Sequence, residues 1–171
     1  INKRNLFFLI SVWLLSTLLS AQNVTISTPH TQLLLSVPNG GTPEQLYYGS
    51  RTSDADIRSI CETARRRNAY PVYGMGYPCE TALSVRHADG NLTLQMAVIG
   101  VKETRLKKEN ATLTVIELKD KVYPFFVNIC YKAWQDADVI ETWTEIRHEE
   151  KKPVQLQQFA SAYLPVRRGN V

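Results

Sequence analysis

The sequence predicts an all-β fold, an antiparallel sandwich, on three observations. Apolar and polar residues alternate with a period of two through most of the chain. Short turns rich in Gly, Pro, Asn and Asp interrupt that alternation. Helical periodicity is scarce. Thr31, Leu33, Leu35 and Val37 share a face in the first clear strand, which Pro38-Asn39-Gly40-Gly41 ends. A short second strand runs from Gln45 to Gly49. Ser53 then stands as an N-cap before Asp54–Cys61, where Ala55, Ile57, Ile60 and Cys61 predict one or two helical turns.

Residues 68–80 hold two prolines, two glycines and three tyrosines, which forbids a regular element and gives the loop apolar mass. Strands resume from Ala82 to His87. Asp89-Gly90 then predicts a hairpin to a return strand with Leu92, Leu94, Met96 and Val98 on one face. Residues 102–110 read as a charged connector. Leu113 and Val115 alternate with Thr114 and Ile116 before Asp120-Lys121 turns the chain.

The last strands are the longest. Tyr123, Phe125, Val127, Ile129, Tyr131 and Ala133 line one face, and Gln135–Asp138 makes a turn. From Val139 to Glu149, Ile140 and Ile146 lie on one face, with Val139 and Trp143 on the other. Pro153 marks a turn, and a further strand runs from Val154 to Leu164. Many antiparallel strands with short polar turns and no long helix make a sandwich.

Residues 1–21 read as a secretory signal, leaving 22–171 as one β-sandwich domain. Lys3 and Arg4 supply the positive start, and Leu6–Leu19 is an apolar run of 14 residues. That run is shorter than a membrane span needs. Ser20-Ala21 offers cleavage before Gln22. The expectation is export, to a periplasmic or extracellular location, with no membrane association after cleavage. The chain of 171 residues carries a formal charge of +4. Without Lys3 and Arg4 there remain 18 basic and 16 acidic residues, and the one dense cluster, Arg65-Arg66-Arg67, reads as a solvated loop. No nucleic-acid partner is expected.

Export permits disulfides. Cys61 and Cys79 flank the turn-rich stretch and form the candidate pair, while Cys130 sits in a strand as a buried thiol. Asp136, Asp138, Glu141 and Glu145 cluster in sequence, but nearby acids on one strand read as a solvated face. His87 and Asp89 lie close enough to share a metal, yet turn geometry explains both. The expectation is no metal, no cofactor and no catalytic residue. Asn23, Asn91 and Asn110 begin N-x-Thr sequons. Aromatic residues remain as candidates, because sugar C–H groups pack on aromatic planes. Tyr70, Tyr73, Tyr77 and Trp143 are the candidate sugar or subunit contacts.

Trp134 to Leu164 carries a family resemblance. It reads Asp136-Ala137-Asp138-Val139-Ile140, then Trp143 and Ile146, then Glu150-Lys151-Lys152-Pro153-Val154, then Ala160-Ser161-Ala162. Upstream stand Tyr47-Tyr48-Gly49, Tyr70-Pro71-Val72-Tyr73-Gly74 and Ala88-Asp89-Gly90. In this order the segments resemble the N-terminal domain of family 36 glycoside hydrolases of the α-galactosidase type. The resemblance covers about Val24 to Leu164.

The resemblance implies a galactose mutarotase-like β-supersandwich followed by a catalytic barrel. The barrel would carry both carboxylates of a retaining α-galactosidase. The implied partners are the protein's own C-terminal barrel and, through it, an α-galactoside. Several members follow the Tyr-Pro-x-Tyr-Gly stretch with a G-D-x-R-like run that approaches a neighbouring subunit. Here Gly74-Met75-Gly76-Tyr77-Pro78-Cys79-Glu80 has neither the Asp nor the Arg, so a homo-oligomer stays an open arrangement. The leading reading is a non-catalytic N-terminal domain of an exported α-galactosidase. The alternative is a stand-alone carbohydrate-binding or surface-interaction sandwich. A mutarotase-like enzyme is disfavoured, because no acid–base pair can be assembled.

Overall fold

The computed structural model describes residues 22–165. The signal-like segment 1–21, and residues 166–171, lie outside the described residues. Within them the chain forms three antiparallel sheets around one core. The first sheet runs in order β1 (Gln22–Ser27), β2 (Thr31–Val37), β3 (Glu44–Ser50), β4 (Arg67–Asn68). The second pairs β5 (Leu83–Arg86) with β10 (Gln155–Phe159). The third runs β6 (Met96–Leu106), β7 (Ala111–Asp120), β8 (Phe125–Trp134), β9 (Val139–His148).

Alternation drives the packing. Val24 and Ile26 of β1, Leu33, Leu35 and Val37 of β2, and Phe125, Val127, Ile129, Tyr131 and Ala133 of β8 all enter the same core. The other face of β2 is buried too, at Gln32, Leu34 and Ser36. Polar groups there find partners in the segment that crosses them. Gln32 Oε1 accepts from the Thr52 amide at 3.1 Å and its hydroxyl at 2.8 Å, and Arg66 donates to Ser36 Oγ at 2.8 Å. Between those anchors lies α1 (Asp54–Thr63), opened by a capping box in which Ser53 and Asp56 satisfy each other's amides. Asp54 and Asp56 also place negative charge at its positive end.

The structure departs from the sequence reading at four places. β1 is an additional strand, too poor in apolar residues to stand out beside the leader-like run. The expected connector at 102–110 is mostly strand: Gly100–Leu106 pairs with Ala111–Glu117, and the break is a 3-10 turn at Lys107–Glu109 with Asn110 at φ 44. Its charges lie on β6, an edge strand of the third sheet. The turn at His87–Asn91 forms, with Gly90 at φ 92 and an Asn91 carbonyl that accepts from the His87 amide at 2.8 Å. It is no hairpin, however, because β5 pairs with β10, and Leu92–Gln95 is irregular. Finally, the last strand ends at Phe159 rather than near Leu164.

One glycine explains the irregular stretch. Gly74 sits at φ 100, and a Cβ there would lie 2.9 Å from Thr93 Cα. The 71–76 loop therefore packs directly on residues 93–94, with the Leu94 amide donating to the Tyr73 carbonyl at 3.0 Å. Leu94, Met96 and Val98 keep the buried face expected of them.

Candidate functional site

The tyrosine loop divides between core and surface. Tyr70 is 2% exposed, and its hydroxyl reaches the Ala160 carbonyl at 3.3 Å. Burial pushes its pKa up, partly offset by the Thr144 hydroxyl. Its ring lines a crevice of about 110 Å³ with Tyr48, Tyr131, Thr142 and Tyr163. Tyr73 is 49% exposed. Tyr77 is half-buried, edge-on to Tyr163, with their hydroxyls 2.9 Å apart. That hydrogen bond, followed by burial, pushes Tyr163 up to about 12.

Trp143 is not brought to these tyrosines. It lies on the outward face of the third sheet, opposite Cys130, and its indole N–H donates to Glu145 at 3.2 Å. Trp134 donates to Glu141 at 2.9 Å, with the Lys132 ammonium 3.8 Å over its ring. Glu141 and Glu145 are therefore engaged in holding the sheet's outer side chains.

The cysteine pairing is corrected. Cys61, Cys79 and Cys130 are all free thiols. Cys61 is in the last turn of α1, beside β3, while Cys79 lies near Tyr163. Cys130 is buried as expected, and desolvation, with the Glu145 carboxylate second, pushes its thiol up to about 11.

Asp138 does structural work between layers. It adopts φ 54 and accepts from the buried Thr28 hydroxyl and from the His30 amide at 3.0 Å. This fastens the β8–β9 turn to the β1–β2 turn. Those two bonds, the Thr28 hydroxyl first, hold its carboxyl below the ordinary 3.8. Asp89 is also held low, first by the Asn91 amide and then by the Tyr123 hydroxyl. A depressed pKa contributes stability that is present above the unfolded value and lost as pH falls through the folded one. Thermal stability is thus expected to drop as pH falls below about 4, the ordinary Asp range. Asp138→Asn should flatten that acid limb; a variant with the parent's limb would contradict the assignment.

The most enclosed polar cluster escaped the sequence reading. His87 Nδ1 lies 2.7 Å from Glu150 Oε1, and the two side chains are 0% and 6% exposed. Glu150 Oε2 accepts from the Ala88 amide at 3.0 Å. A hydrogen on Nδ1 satisfies the carboxylate, and a bare Nε2, which has no partner, leaves no buried N–H unpaired. The Tyr123 ring stacks on His87 at 3.7 Å and 9°, and Phe125 meets it edge-on at 5.8 Å. The Tyr123 hydroxyl donates to Asp89 at 2.7 Å and accepts from Asn91 at 3.0 Å. His87 and Asp89 therefore turn to different partners. Among the described residues no group of three His, Cys, Asp or Glu is placed to hold a metal.

Three antiparallel sheets on one core, with their acids tied into turns and sheet faces, define a β-sandwich domain. The chain belongs to the glycosyl hydrolase family 36 N-terminal domain family, which it matches over residues 41–171. Solved structures of similar fold include the α-galactosidase from Lactobacillus brevis, at 15% identity and a TM-score of 0.71, over 83% of this chain and 23% of that one. A variant of α-galactosidase AgaA from Geobacillus stearothermophilus, in complex with 1-deoxygalactonojirimycin, is 14% identical with a TM-score of 0.73, over 82% and 24%. The galactosidase domain of the α-galactosidase-sucrose kinase AgaSK is 22% identical with a TM-score of 0.68, over 81% and 24%. The chain thus spans about a quarter of these proteins' length. No curated protein sequence matches it.

Proposed function

We propose that this chain is the N-terminal domain of an exported α-galactosidase, supporting a catalytic barrel and contributing no catalytic group itself. The observation that carries this reading is the family match over residues 41–171. The solved structures of similar fold are α-galactosidases about four times as long. The engaged state of Asp138, Glu141 and Glu145 supports the non-catalytic part.

An uncovered apolar face supports the partner. Leu156 and Phe159 of β10 stand opposite Val85 and Leu83 of β5. Cross-strand partners share a face. Leu83 and Val85 are fully buried, yet Leu156 is 43% and Phe159 65% exposed. The core side of β10 therefore overhangs the sandwich, and Tyr73, Met75 and Leu164 add exposed apolar surface in the segments around it. Such a surface suits contact with further polypeptide.

Export rests on the pattern in residues 1–21, and sequencing the mature N-terminus should find Gln22. The pure chain should not hydrolyse a nitrophenyl α-galactoside, whereas the longer gene product should. Turnover by the chain alone would sink the non-catalytic reading.

A further inference from the structure

The Tyr123 cluster faces a second environment. One side of the ring is covered by buried His87. The residue also lines an open groove of about 430 Å³, with Ala88, Asp89, Pro124 and Glu149–Lys152 as the other walls. The ring is locked, by stacking on one side and by hydrogen bonds to Asp89 and Asn91 at its hydroxyl. A ligand stacking on it would pay no rotamer entropy.

The groove's charge narrows the ligand class. Asp89 and Glu149 stand against Lys151 and Lys152, the Glu150 carboxylate being turned to His87 and Ala88, so neither a phosphate nor a cation meets a field of one sign. A neutral polyol both donates and accepts, and it can use the carboxylate and ammonium groups together. One flat aromatic face flanked by such groups fits a pyranose ring, whose C–H side stacks while its hydroxyls hydrogen-bond.

We propose that Tyr123, Asp89, Lys151 and Lys152 form a pyranoside-binding site on this domain. The site is carried by its own geometry; only the choice of galactosides as ligands rests on the function proposed above.

The test is a titration of the isotope-labelled full chain with raffinose, and separately with maltose, followed by NMR. Raffinose should give saturable shifts confined to residues 88–89, 123–124 and 149–152, at millimolar concentration. Lys151→Ala with Lys152→Ala, both exposed, should keep the fold and weaken binding about tenfold. Tyr123→Phe should retain stacking, while Tyr123→Leu should lose it. Shifts with maltose alone would keep the site and count against the α-galactoside reading. No saturable shift with either sugar, shifts centred elsewhere, or unchanged binding in the double lysine variant would each overturn the site.

Discussion

Replacing His87 with alanine is expected to cost about 3–5 kcal/mol, the usual penalty for removing one member of a buried polar pair. The substitution leaves the Glu150 carboxylate, 6% exposed, with the Ala88 amide as its remaining partner. It also removes the surface on which Tyr123 stacks. Glu150→Gln should cost less, about 1–3 kcal/mol, because one acceptor oxygen survives to serve one of the two donors. The double variant His87→Ala with Glu150→Ala should cost less than the sum of the singles, since the second change removes the stranded group. Urea unfolding measures all three. A His87→Ala loss below about 1 kcal/mol would contradict the account of this pair.

Asp120→Ala should be the next most damaging change. Asp120 is 1% exposed, and its carboxylate accepts three backbone amides: Gln95 at 2.5 Å, Val122 at 2.8 Å and Tyr123 at 2.8 Å. Truncation strands those donors, at a cost of about 3 kcal/mol or more. For a domain of this size that lowers Tm by about 6–12 °C. Asp120→Asn keeps one acceptor oxygen and should fall between. The same three bonds set the turn that presents Tyr123, so the alanine variant should also disturb the groove. A Tm within a degree or two of the parent would contradict the role given to Asp120.

Most strands were legible because one face of each is buried, which period-2 alternation records directly. β7 and β8 follow this rule most closely, β2 keeps the alternation although both its faces are buried, and Ser53 announced α1 as its N-cap. The pairing of β5 with β10 was not legible. Asp89-Gly90 encodes a local reversal, but the partner strand lies some seventy residues away and is chosen by core packing. The strand at 102–106 was hidden for the opposite reason. Residues 102–105 are exposed on both faces, so the charges there mimic a loop.

The site was legible only in part. His87 and Asp89 stood out only as turn residues, whereas the fold buries His87 and turns the two to separate partners. Glu150 is one acid in the run Glu149-Glu150-Lys151-Lys152, and nothing local marks it as buried. Its partner is 63 residues away. Tyr70 shows the same limit: a tyrosine in a Pro- and Gly-rich loop reads as exposed, yet the close approach at Gly74 folds that loop inward and buries the ring.

The central claim is that this sandwich is the N-terminal part of a larger enzyme and leaves β10 uncovered for the rest of it. Hydroxyl-radical footprinting tests it with native residues. In the chain alone, Tyr73, Met75, Leu156 and Phe159 should be oxidised heavily, in keeping with exposures of 49%, 41%, 43% and 65%. In the longer gene product Leu156 and Phe159 should be protected, while exposed Val122 in the β7–β8 turn should react equally in both. Equal oxidation of Leu156 and Phe159 in the two proteins would contradict the account.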